Sequence, residues 1–431
     1  MKIKVYPSRL SGVVTAPPSK SVAHRAIIAA ALAKGTSHIT NIAYSDDILA
    51  TIGAVKKLGA KTRKHRNSLE VIGCRAYYDV SYSELKETLE TTEAQNPIIV
   101  DAKESGSTLR FMLPLLSLLN KKVRFVGSKR LLERPLDAYE KIFAEQGLLF
   151  TKTDDYVEIC GAIGTSLDPM YYDVSGNVSS QFITGLLIAL PLATGPSYIN
   201  ITGAFESKSY VDLTIDVLKK FRIKPRYLES TNDTLLGVPG CQEYHRADYC
   251  IEGDYSNAAF FLAQNDITGN DNINVAGLNP RSKQGDRQIV RLIKNKKHKI
   301  DLSDIPDLGP ILATRAAFKK GKTVIYNAKR LRLKESDRIY AIETELKKCG
   351  VDISSTDDCI QVYGMKKGKK YAASTELSSH NDHRIAMSLC IAALNFETPT
   401  VIDGVESINK SYPNFLRDFK RLGAKFEVLE V

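Results

Sequence analysis

The sequence predicts an α/β protein of two similar domains, each made of three strand–helix–strand–helix–strand units. Three observations carry this. The 431 residues exceed what one compact core usually holds. Six polar turns each open an apolar, Ala/Leu-rich helix, with anchors at residues 20, 105, 180, 254, 307 and 381. A second series of amphipathic helices follows at nearly the same intervals, and most of them end at glycine.

The first series begins with Ser19-Lys20-Ser21 before VAHRAIIAAALA and Glu104-Ser105-Gly106-Ser107 before TLRFMLPLLSLL. Ser179-Ser180-Gln181 precedes FITGLLIAL, and Gly253-Asp254-Tyr255-Ser256 precedes NAAFFLA. Ile305-Pro306-Asp307 precedes LGPILATRAA, and Asn381-Asp382-His383-Arg384 precedes IAMSLCIAAL. The intervals are 85, 75, 74, 53 and 74 residues, so the unit around 270–305 is shortened. The second series runs to Gly59, Gly147, Phe221, Lys296, Gly350 and Gly423. Glycine just past a helix supplies the left-handed cap that turns the chain back. Ile339, Ile342 and Leu346 show the three-and-four spacing that puts one stripe on a core. Short β-rich runs such as VRFVG and TVIYN follow, giving six units of about 72 residues, three per domain.

Apolar residues make up 43% and charged residues 25%, which argues against a fibrous, disordered or coiled-coil chain. Ala26 to Ala33 is followed by Lys34, and Ile183 to Ala193 contains Pro191, so neither run reaches the roughly 20 residues of a membrane span. The start, MKIKVYPSRL, has no apolar h-region. Seven cysteines, with no CxxC, read as reduced thiols of a cytoplasmic protein. A net charge of +11 suits an anionic partner. The basic residues are dispersed apart from Lys294–Lys299 and Lys366–Lys370, which read as solvated loops. Trp is absent, and no aromatic-plus-basic platform for nucleic acid stands out.

The polar residues of the repeats stand where helices begin, and a helix N-terminus attracts anions. Ser or Asp at any one of them is an ordinary N-cap. Caps do not require Lys20, Arg25, Arg110, Gln181, Arg338, His383 and Arg384 beside them. If the helix starts gather in one cleft, that cleft is cationic and rich in hydroxyls, fit for phosphate and carboxylate. Asp307 and Glu335 are acids in this field, each either a general acid or base or a plain cap or ion pair. No GxGxxG after a strand, GxxxxGK[ST], HExxH or Gly-x-Ser-x-Gly occurs.

Nine ordered segments then resemble the enolpyruvyl transferases, and among them the branch that uses shikimate 3-phosphate. They are Pro18–Arg25, Ser105–Arg110, Arg130-Leu131-Leu132-Glu133-Arg134-Pro135, Val178–Phe182, Ile251–Asp254, Gln284-Gly285-Asp286, Ile305-Pro306-Asp307, Leu333–Arg338 and Asn381–Met387. With Lys410 they cover essentially the whole chain. The resemblance implies a two-domain inside-out α/β barrel with six βαβαββ units. One domain would be residues 18–249, and the other residues 1–17 plus 250–431. The chain would cross near Pro17-Pro18 and Tyr249–Glu252, with substrates in a cleft that closes on them.

The resemblance also implies transfer of the enolpyruvyl group of phosphoenolpyruvate to the 5-hydroxyl of shikimate 3-phosphate, without metal or organic cofactor. Lys20, Ser21 and Arg25 would touch shikimate 3-phosphate, with Ser179, Ser180 and Ser207 on its phosphate, Gln181 between the substrates and Lys334 nearby. Lys20, Gly106, Arg130, Arg338, Arg384 and Lys410 would bind phosphoenolpyruvate. Asp307 would take the hydroxyl proton. Glu335 would exchange a proton with the methylene, with Lys20 its rival, and Tyr210, His383 and Arg330 would support the site. The expected partners are these small molecules, with no nucleic acid or membrane, for a cytoplasmic monomer. Gly106 would leave room for the donor and for glyphosate. Glu104 and Ser107 depart from the commonest pattern, as does Arg330. The sister branch using UDP-N-acetylglucosamine carries a mobile-loop cysteine, and no cysteine lies between Cys74 and Cys160 here.

Overall fold

A computed structural model describes residues 1–74, 96–119, 121–160, 170–230, 233–294, 298–365 and 370–430. Residues 295–297 and 366–369 of the two basic runs, and with them the expected helix end at Lys296, lie outside these described residues. The chain divides into two compact units, Lys20–Ile251 and a discontinuous one of Met1–Ser19 with Glu252–Val431. The expected boundary at residue 18 falls two residues later. Pro18 bridges Gly253, and the Ser19 N–H donates to the Glu252 carbonyl at 2.8 Å, which ties this segment to the discontinuous unit.

One repeat shows how each unit is built. Tyr171–Ser175 leads to the helix Ser180–Ala189, then Ser197–Thr202 and the helix Lys208–Lys220. Arg226–Leu228 and Thr234–Val238 finish it. The first and second strands pair in parallel and the rest antiparallel, with the last strand inserted third in the sheet. Five four-stranded sheets among the described residues share this order. Two of them borrow a strand from far along the chain. Tyr249–Cys250 supplies the first strand beside Thr36–Thr40, and Lys2–Tyr6 lies between Thr400–Asp403 and Lys425–Glu430. In the shortened unit the strand Ile273–Ala276 pairs in parallel with Gly12–Thr15.

The Ala/Leu-rich helices are the core. From Val22 to Leu32 every residue of the helix Lys20–Leu32 is buried, and Gly106–Leu116 and Ser180–Ala189 are nearly so. Tyr255–Thr268, Gly309–Ala317 and His383–Leu394 play the same part in the discontinuous unit. Helices that are apolar all round must be enclosed. Each unit therefore has helices inside and sheets outside, and only the helix ends can offer polar groups. The amphipathic series lies further out: Asp46–Lys57, Asp137–Glu145, Lys208–Lys220, Arg338–Lys348 and Phe415–Arg421. Gly59, Gly147, Gly350 and Gly423 end four of these at positive φ. At the third, the left-handed residue is Arg222, φ 64°, one past the Phe221 expected to end that helix.

Candidate active site

In the Lys20–Ile251 unit the helix starts are joined by one ion pair, Lys20–Asp47, and otherwise mainly by neutral oxygens. Lys20 opens its helix, and its Nζ lies 2.7 Å from Asp47 at the start of Asp46–Lys57. Arg25, one turn further on, points inward and is 3% exposed. Its Nε donates to Thr214 Oγ1 at 2.7 Å and its other nitrogens to the Ser21 carbonyl, Thr184 Oγ1 and the Tyr210 carbonyl. Its guanidinium also lies over the Phe111 ring. With no carboxylate beside it, burial pushes its pKa down to about 10. A second thread of hydroxyls runs from His24 Nδ1 to Thr51, Thr108 and Ser105, linking three helix starts. Burial, with Lys20 and Arg25 nearby, holds His24 well below its usual range.

Gln181 is the junction of the next two turns. Its Oε1 accepts from Arg110 at 2.9 Å and its Nε2 donates to Ser107 at 3.0 Å. Ser179 caps that helix through the Gln181 N–H, and Ser180 follows, buried. Ser207 stands at the start of Lys208–Lys220 with φ 55°, buried beside Tyr210. Gly106 is the first residue of its helix, and a Cβ there would come within 2.5 Å of the Arg134 guanidinium. Arg130 lies on the short helix Lys129–Glu133, half-exposed and 3.9 Å from Glu133.

In the discontinuous unit the helix starts are joined by charge. Asp307 Oδ1 lies 3.0 Å from Arg338 and 3.5 Å from Lys334, and its Oδ2 lies 3.0 Å from Arg384. Arg338, 1% exposed, also reaches Glu335 at 2.6 Å and Asp382 at 2.8 Å. Burial opposes its charge, but the carboxylates of Asp382, Glu335 and Asp307 outweigh that and push its pKa up. Asp382 is also the N-cap of His383–Leu394, accepting from the Arg384 N–H. His383 is buried with Nδ1 4.0 Å from Asp382. Lys410 donates to the Asn381 carbonyl at 2.5 Å. Arg330 donates to the Ser303 carbonyl. Burial brings Lys334 down to about 8 against the pull of Asp307, so it can release a proton near neutral pH. Asp286, hydrogen-bonded by Ser256, is pushed up to about 7 by burial and by Asp307, against Arg384.

The structure thus gathers Asp307, Lys334, Glu335, Arg338 and Arg384 into one network. Lys20 and Gln181 lie at helix starts of the other unit. Two acids were missed from the sequence. Asp47 looks like a helix-start acid, yet the N-cap position there is Ser45 and Asp47 pairs with Lys20. Asp382 looks like a cap, and it is also an anchor of Arg338. Among the described residues no set of three His, Cys, Asp or Glu side chains is arranged to hold a metal ion.

Hydroxyls and fixed cations in one unit, with acids locked to guanidinium groups in the other, suit an enzyme of small, multiply charged anions. Known proteins say which kind. A family model described as EPSP synthase (3-phosphoshikimate 1-carboxyvinyltransferase) matches residues 5–419, and the chain belongs to this family. Curated relatives of that name from Clostridium beijerinckii and Clostridium novyi are 40% and 41% identical, over 99% and 98% of this chain and 98% and 97% of theirs. A solved EPSP synthase of Acinetobacter baumannii superimposes with a TM-score of 0.78 at 25% identity, covering all of both chains.

Proposed function

We propose that this chain transfers the enolpyruvyl group of phosphoenolpyruvate to the 5-hydroxyl of shikimate 3-phosphate. The products are 5-enolpyruvylshikimate 3-phosphate and phosphate, on the shikimate route to chorismate and the aromatic amino acids. The observation that carries the reading is Asp307. A carboxylate with one oxygen on Arg338 and Lys334 and the other on Arg384 is fixed in place and stands among cations suited to anionic substrates.

The chemistry needs three proton movements. A proton added to the phosphoenolpyruvate methylene makes C2 electrophilic. The 5-hydroxyl oxygen bonds to C2 as its proton passes to Asp307, giving a tetrahedral intermediate. The C2–O bond to phosphate then breaks, a methyl proton leaves, and the enol ether remains. Glu335, held by Arg338, exchanges the carbon-bound proton, and Lys20 is the alternative. Lys20, Gly106, Arg130, Arg338, Arg384 and Lys410 bind phosphoenolpyruvate, with Gln181. Lys20, Ser21, Ser179, Ser180, Gln181, Ser207 and Lys334 bind shikimate 3-phosphate. Arg25 belongs to that set, its guanidinium held in place by Thr214, Thr184 and two backbone carbonyls. Tyr210, His383 and Arg330 support their turns. The enzyme works as a cytoplasmic monomer in this reading.

Phosphate release tests it. Release should require both substrates and persist in a chelator. Turnover with UDP-N-acetylglucosamine in place of shikimate 3-phosphate, and none with the latter, would overturn it.

A further inference from the structure

The turn before His383–Leu394 is held in a form its residues do not choose for themselves. His380 and Asn381 follow one another at φ 51° and 53°, and neither is glycine. Such a pair persists only where the surroundings over-determine it. The turn leaves the strand Leu377–Ser378, where Ser379 N–H donates to Asp403 and Ser379 Oγ to the Gly404 carbonyl. It ends at Asp382, which receives Arg338, and it points the Asn381 carbonyl at Lys410.

What grips the turn from the other side is Glu345, two turns along the helix that Arg338 begins. Its carboxylate is 1% exposed and fully engaged. It accepts from His380 Nε2 at 2.8 Å, from the Ser378 N–H at 3.0 Å and from Lys348 at 2.9 Å. Burial alone would raise its pKa, yet these donors hold it lower than usual. Tyr340, from the same helix, meets the His380 ring edge-on. One helix therefore carries Arg338 to one end of the turn and Glu345 to the other. The mechanism above uses neither Glu345 nor His380.

We propose that Glu345 and His380 are a positioning pair for the phosphoenolpyruvate site. By clamping the Ser378–Asp382 turn they aim the Asn381 carbonyl at Lys410 and hold Asp382 where it meets Arg338 and caps the Arg384 helix. The pair acts through Lys410 and Arg384 and touches no substrate. This rests on the reading that those two cations bind phosphoenolpyruvate.

The test compares steady-state constants of His380→Leu, His380→Gln and Lys410→Met in the full chain. His380→Leu should raise KM for phosphoenolpyruvate about ten-fold, less than the roughly hundred-fold that a full 1 Å misplacement can cost. KM for shikimate 3-phosphate should stay within about two-fold. Glutamine can still donate to Glu345, so His380→Gln should recover most of the loss at a similar melting temperature. Lys410→Met should raise KM for phosphoenolpyruvate at least as much. If it does so while His380→Leu leaves that KM unchanged, or moves both KM values together, the positioning pair is overturned and the donor site stands. If Lys410→Met leaves KM for phosphoenolpyruvate unchanged, the donor-site reading falls and takes the pair's purpose with it.

Discussion

Arg25 stands near the start of an inner helix in one unit and Arg338 at the start of an outer, amphipathic helix in the other, and both side chains are almost fully enclosed. Their surroundings are opposite. Arg25 gives its donors to two threonine hydroxyls and two carbonyls, and its pKa falls. Arg338 binds three carboxylates, and its pKa rises. The two units thus surround a buried arginine in two ways. Neutral oxygens around a cation leave a net positive field, which holds anions. Carboxylates around a cation give near-balanced charge and acids fixed for proton transfer. The two units differ in what they place beside these arginines, hydroxyls and carbonyls in one and carboxylates in the other.

The largest effect should come from breaking the charged side. Arg338→Met removes one cationic partner from each of Asp307, Glu335 and Asp382 at once. Losing one member of a buried ion pair costs about 3–5 kcal/mol, so the urea midpoint should fall sharply and turnover should vanish. Next is Asp307→Asn, which keeps the shape and removes the base. It should lower kcat by about 10²–10⁴-fold, with a fall in melting temperature smaller than that of Arg338→Met, because Arg338 keeps Glu335 and Asp382. On the neutral side, Arg25→Met leaves only uncharged acceptors unpaired, at about 1–3 kcal/mol. An Arg25→Met loss as large as that of Arg338→Met would erase the distinction between the two sites.

Much of this was legible in the sequence, because burial forces it. A helix enclosed on all sides must be apolar throughout, so the inner series stood out as Ala/Leu runs, and polar turns before them marked the helix starts. Gly59, Gly147, Gly350 and Gly423 marked the outer helix ends for the same kind of reason, the left-handed cap. Arg222 gave no such signal, since nothing in its identity announces a positive φ. The borrowed strands were also hidden. Lys2–Tyr6 pairs with residues some 400 positions away, and period-two patterning does not say with whom a strand pairs. Within the site, Asp307, Glu335 and Arg338 were readable from their segments. Asp47 and Asp382 were not assigned, because an acid at a helix start already has an ordinary explanation. Ser107, a departure from the commonest pattern, turned out to touch Gln181.

Smaller effects sharpen the comparison. Lys334 belongs to the charged side but loses its proton above about pH 8, whereas an ordinary lysine holds it to 10.5. Between those values the unfolded chain binds more protons than the folded one, so this group's contribution to stability rises with pH. Its side chain is 26% exposed, which screens part of that. Anion binding should move the other way: KM for shikimate 3-phosphate should climb as pH passes 8, and Lys334→Arg should flatten the climb. Smallest is Gly106→Ala on the neutral side. The new methyl meets the far end of the Arg134 side chain, which can swing away, so the cost should be at the low end of overpacking, about 1 kcal/mol. Inhibition by glyphosate, competitive with phosphoenolpyruvate, should weaken along with a modest rise in that substrate's KM.

The central claim is that the charged side moves a proton on and off the phosphoenolpyruvate methylene. Running the reaction in heavy water and reading the product by mass spectrometry and NMR tests it directly. A methyl group formed from CH2 and one solvent deuteron must lose one of three hydrogens. Deuterium should therefore appear in the enol ether methylene of the wild-type product, while Glu335→Gln should neither turn over nor exchange. Unlabelled product at full wild-type turnover would contradict it, because the carbon would then never have been protonated.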